Sequence, residues 1–186
     1  PTATVPSVSS AYANGVETDA PLPTGSVINA PRLSSVRRST INVNNLSTFN
    51  TAPLSEIDDA RIYVSGGVNF NKVTDTNYLS TNWWDGTDLF RASEAGTVLN
   101  LSSLQTMTYG WTAAQRTYTV RAQSGATVDL SNLTTVNVIS GQDDYLDFRA
   151  ESGGTINLSS LETVNPTAGN GNEGVHFFVN AGGTMI

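Results

Sequence analysis

This sequence predicts an all-β fold: a right-handed parallel β-helix, or β-solenoid, of about five turns of 27–31 residues with an irregular N-terminal cap. Three observations carry the prediction. A unit of that length recurs along the chain, as in repeat architectures whose units cannot bury an apolar face alone. Inside each unit, apolar and polar residues alternate with a period of two, the pattern of a strand with one face buried. Sixteen glycines and abundant Ser, Thr and Asn, with few Glu, Lys and Arg, oppose helices and suit short strands joined by polar turns.

The N-terminal stretch comes first. Five of the seven prolines lie before residue 32, so 1–38 reads as a cap or linker carrying a half-turn at 27–36. The repeat domain is 39–186 and is expected to continue past residue 186, because the last copy breaks off inside a strand at Thr184-Met185-Ile186. Segments 91–107, 121–137 and 149–165 align closely, and 39–50 and 65–76 are degenerate copies. Aligned in this way, Asn42, Asn69, Asn100, Asp129 and Asn157 form one outward polar column between inward aliphatics. A second strand places Phe90, Val120, Phe148 and Phe177 inward, with Arg91, Arg121, Arg149 and Phe178 outward. A third apolar position, Leu46, Val73, Leu104, Leu133 and Leu161, is followed three residues later by Phe49, Thr76, Met107, Val136 and Val164. Gly-Gly, Gly-Ala or Ala-Gly pairs between the first two strands mark a sharp corner.

Composition narrows the function. Nine Lys plus Arg face sixteen Asp plus Glu, and a net charge of −7 opposes binding to a phosphate backbone, so no nucleic-acid partner is expected. No run of about 18 apolar residues is present, so no membrane insertion is expected. The absence of cysteine excludes disulfides and thiolate metal sites, and a single histidine, His176, excludes a His cluster.

The Arg-Ala-x-x-Gly-Gly-Thr-Ile-Asn-Leu-Ser-Ser-Leu units, which cover roughly 39–186, resemble those of secreted or surface bacterial β-helix proteins: adhesins, autotransporter-like passengers and, more distantly, polysaccharide lyases. The leucine-rich-repeat horseshoe is the second choice, from Leu158-Ser-Ser-Leu161, and the lack of helical periodicity disfavours it. The resemblance implies an extracellular or cell-surface, non-enzymatic structural or adhesive module. The alternatives are a polysaccharide-active β-helix enzyme, lyase or glycoside hydrolase, and a carbohydrate-binding module attached to an enzyme.

Candidate ligand-binding residues lie in the variable connections that precede each Arg-bearing strand. In a solenoid, insertions at one corner stack on one side. Trp83, Trp84, Trp111 and Tyr145 would form an aromatic ridge for sugar rings, with Asp85, Asp143 and Asp144 accepting hydroxyl hydrogen bonds. The competing reading makes these aromatics lids on the core. Asp85, Asp88, Asp143 and Asp144 are also candidate Ca²⁺ ligands, because irregular loops of hard oxygens suit that ion. No spacing marks a Ca²⁺ site, and neither a cofactor nor a catalytic residue is assigned. The column Arg91, Arg121 and Arg149 reads as a salt-bridged structural ladder in which Arg121 has no obvious acidic partner. The expected partners are a polysaccharide or other surface ligand and, at the C-terminal edge, further solenoid turns or a second copy end to end.

Overall fold

The computed structural model describes residues 2–3, 26–81, 88–110, 117–139, 145–166 and 174–186. Among them every regular element is a strand, and all pairing is parallel. The chain winds into a β-solenoid whose turns visit three faces in succession. The first face is a six-stranded sheet of β3 (Thr40–Val43), β5 (Arg61–Val64), β8 (Asp88–Ser93), β11 (Thr117–Gln123), β14 (Tyr145–Glu151) and β17 (Gly174–Asn180). The second is five-stranded: β6 (Asn69–Phe70), β9 (Val98–Asn100), β12 (Thr127–Asp129), β15 (Thr155–Asn157) and β18 (Thr184–Met185). The third holds β7 (Asn77–Ser80), β10 (Thr106–Tyr109), β13 (Thr135–Val138) and β16 (Thr163–Pro166). A short sheet of β1 (Thr2–Ala3), β2 (Ser26–Ala30) and β4 (Ser47–Thr51) precedes them.

The alternating pattern fills the interior as expected. Phe90, Val120 and Phe148 on the first face, Leu99 and Val128 on the second and Val136 on the third are all fully buried. Phe177 continues the first column, in register with Phe148 and stacked on it at 5.5 Å, but it stays 46% exposed because no further turn covers it. At the corner between the first two faces, Ser124 and Gly125, Ser152 and Gly153, and Ala181 and Gly182 all take positive φ, which bends the chain sharply in two residues. The corner after the second face is made by the Asn/Asp column. Asn100, Asp129 and Asn157 each accept, through Oδ1, the backbone N–H two residues on, at 2.9, 3.1 and 3.2 Å. That column therefore builds turns.

The turn count and the register of the N-terminal copies are corrected. About three turns are regular (88–110, 117–139 and 145–166), not five. The N-terminal copies form tighter turns, with cross-turn contacts 21 residues apart at Ser35–Glu56 and Asn29–Asn50, against 28–30 in the regular part. Asn42 leaves the asparagine column, since Ile41 pairs with Ile62 and Asn42 with Tyr63, on the first face. An apolar-polar-apolar triplet fits either face, and the 21-residue spacing decides which one it joins. Likewise Phe70 pairs with Leu99 and Tyr78 with Met107, so Asn69 stands one residue and Thr76 two residues before an inward position. The shorter period also stacks the expected half-turn at 27–36 on the next turn, because Ile28 pairs with Phe49.

Three tyrosines, Tyr78, Tyr109 and Tyr118, are among the largest buried side chains. The Tyr78 hydroxyl donates to the Ala60 carbonyl at 2.9 Å. Burial, reinforced by the carboxylate of Asp59, holds its phenol far above the ordinary tyrosine range, against a smaller opposing effect of Ser80. The folded chain thus keeps a proton that the unfolded chain gives up above pH ~10. The associated stability is fully present below that pH and declines as pH rises, by up to about 1.4 kcal/mol per pH unit. Denaturant midpoints measured from neutral to strongly alkaline pH should show this decline, with a smaller slope in Tyr78→Phe.

Candidate functional site on the arginine face

Parallel register stacks identical positions, so the outward residues of the first face form columns about 4.8 Å apart. One column reads Asn42, Tyr63, Arg91, Arg121, Arg149 and Phe178. Two residues earlier on the strands stand Thr119, Asp147 and His176. Asp88 joins this second column through a β-bulge: Thr119 pairs with Asp88 and Val120 with Phe90, leaving Leu89 as the extra residue. Two residues after the arginines come Ser93, Gln123, Glu151 and Asn180.

Three stacked guanidinium groups would repel one another without compensation, and acids on the flanking columns supply it. Asp88 lies 3.6 Å from Arg91 and 3.1 Å from Nε of Arg121. Glu151 lies 3.0 Å from Arg121 and 3.7 Å from Arg149. Asp147, only 3% exposed, accepts Nε and Nη2 of Arg149 at 3.1 and 2.7 Å on one oxygen and meets Nδ1 of His176 at 3.0 Å on the other. The result is one connected chain of ion pairs and hydrogen bonds from Arg91 to His176. Exposed pairs of this kind contribute little to stability, about 0–1 kcal/mol each, whereas the buried carboxylate of Asp147 depends on its partners.

Aromatic rings close both ends of the arginine column. The Arg91 guanidinium lies 4.5 Å from the Tyr63 ring centre and that of Arg149 lies 4.2 Å from Phe178. The Tyr145 ring stacks on His176 at 4.8 Å. Tyr145 opens β14 and is half-buried beside the 140–144 connection.

Of the candidate ligand-binding residues, Tyr145 is the one described. Trp83, Trp84, Asp85, Trp111, Asp143 and Asp144 lie outside the described residues. Among the Ca²⁺ candidates Asp88 is described, and its carboxylate is engaged by Arg91 and Arg121. Among the described residues no three acidic, His or Cys side chains gather as a metal site. Arg121 has two acidic partners, both on neighbouring turns, which a search within its own unit misses. Pairing each arginine with residues two positions away on adjacent strands would have found Glu151. The Asp147–His176 contact and the place of Tyr63 in the arginine column were also not read from the sequence.

Fold and site together define the class: a parallel β-solenoid repeat protein with a charge-compensated arginine face. No protein-family model matches the chain, and no curated protein or solved structure matches it.

Proposed function

We propose that this chain is a non-enzymatic structural and adhesive module of an extracellular or cell-surface repeat protein, binding polysaccharide where the arginine face meets the long connections. One observation carries the reading: the added length of the regular turns enters at a single corner. The tight turn, whose Asp59 N–H donates to the Leu79 carbonyl of β7, passes from Ile57 to Ile62 in a few residues, while a regular turn takes all of Val136 to Phe148 for the same crossing. Four such connections leave the third face and enter the first on successive turns, and three tryptophans belong to them. Solenoids use one-sided insertions of this kind as binding surfaces.

Retention on insoluble polysaccharide tests the proposal. Native protein should be retained with modest affinity, because a shallow platform recovers little against the cost of ordering a flexible chain. Trp84→Ala or Trp111→Ala should abolish retention and move the unfolding midpoint by less than about 2 °C. A large midpoint loss would make these residues lids on the core, and no retention on neutral or acidic polymers would sink the glycan reading.

The polysaccharide-active enzyme is the second reading, and the Asp147–His176 pair favours it, since a buried carboxylate orienting an imidazole is a general-base arrangement. Release of reducing ends or unsaturated products would select it. The apolar end formed by Phe177, Val179 and Ile186, at 46%, 52% and 61% exposure, suits a further solenoid turn from the same chain or a second copy. Sedimentation at rising concentration reads out the second case.

A further inference from the structure

We infer, resting on the glycan reading above, that the arginine face selects an uncharged polysaccharide and rejects uronate- or sulfate-bearing ones. A stacked arginine column looks at first like an anion clamp. Here each guanidinium already has a carboxylate: Arg91 and Arg121 share Asp88, Arg121 and Arg149 share Glu151, and Arg149 holds Asp147. The three guanidinium groups of the column are thus matched by three carboxylates, and Arg61, at the start of β5 on the same face, lies 5.9 Å from the Tyr63 ring centre. An incoming anion would have to displace them and then lie beside them.

Asp147 is 3% exposed and fixed by both Arg149 and His176, so it is held on the face. The outer guanidinium groups lie over Tyr63 and Phe178, which restrains them as well. A net charge of −7 adds repulsion at longer range. A sugar hydroxyl both donates and accepts. A row in which guanidinium N–H groups alternate with carboxylate oxygens offers it both partners. Gln123 and Ser93, outward and half-buried beside the arginines, extend that row with uncharged groups.

The test compares retention of the native chain by an uncharged β-glucan and by polygalacturonate of similar length, at about 50 and 500 mM salt. The expected result is preference for β-glucan by about tenfold or more, little changed by salt. Glu151→Gln and Asp88→Asn, which each remove one of the two carboxylates that hold Arg121, should add salt-sensitive binding to polygalacturonate. Preference of the native chain for polygalacturonate, lost at high salt, would overturn this inference and leave the glycan reading standing. Retention by neither polymer, nor by other neutral and acidic glycans, would overturn both. If a variant fails to fold, the salt dependence of the native chain decides.

Discussion

Replacing Phe148 with alanine should destabilise the protein by about 3–5 kcal/mol, as expected for a fully buried aromatic side chain. Phe148 is fully buried in the first-face column, between Val120 on one turn and Phe177 on the next. A solenoid gains its stability from contacts between neighbouring turns, so a cavity at this level weakens the coupling on both sides. Phe177→Ala is the internal control. Its ring occupies the same column but is 46% exposed, so its removal should cost much less. Thermal unfolding followed by circular dichroism should show a midpoint about 6–20 °C lower for Phe148→Ala. Equal shifts for the two variants would mean that Phe177 is covered in solution as fully as Phe148, and would point to association through that end.

The second large effect is expected at Gly154, where alanine should cost about 3 kcal/mol or more, at or above the usual range for overpacking. A Cβ there would stand 2.2 Å from the carbonyl oxygen of Ala122 and 2.7 Å from the amide nitrogen of Gln123, both backbone atoms of the neighbouring turn. Backbone held in a parallel ladder cannot step aside as a flexible side chain would, so the turns must separate at that corner. Gly153→Ala isolates the other contribution of this corner. Its Cβ would find nothing nearer than 3.8 Å, but φ is +79°, so the penalty is backbone strain of about 1–2 kcal/mol. Ala126 holds the place of Gly154 one turn earlier and keeps its methyl group buried, over a corner that carries one more residue, Glu94. Urea midpoints for the two glycine variants should rank Gly154→Ala as the more damaging. The opposite order would mean that the corner relaxes more easily than its ladder contacts imply.

Much of this protein is legible in its sequence because alternation and repetition are local signals. Val128-Asp129-Leu130 and Ile156-Asn157-Leu158 announce which residues face inward, and their recurrence leaves parallel stacking as the way to bury them. The inward column of Phe90, Val120 and Phe148 and the outward arginines follow from that reading, as does the glycine corner.

Register and electrostatic partnership were decided by tertiary structure. Ile41-Asn42-Val43 satisfies the alternation of either the first or the second face. The short chain to Arg61–Val64 allows one of them, because the length of a corner fixes which strands can lie side by side. Asp88 reaches the arginine face through the bulge at Leu89, a displacement of one residue that no local pattern announces. Arg121 is neutralised from the turn on either side, by Asp88 33 residues before it and Glu151 30 residues after it. Charges on stacked strands interact across turns at contact distance, so sequence separation says little about who compensates whom. The repeat by itself determined the solenoid and its inward and outward faces. Corner lengths and close packing between turns decided the tight N-terminal turns, the register of their strands and the compensated arginine face.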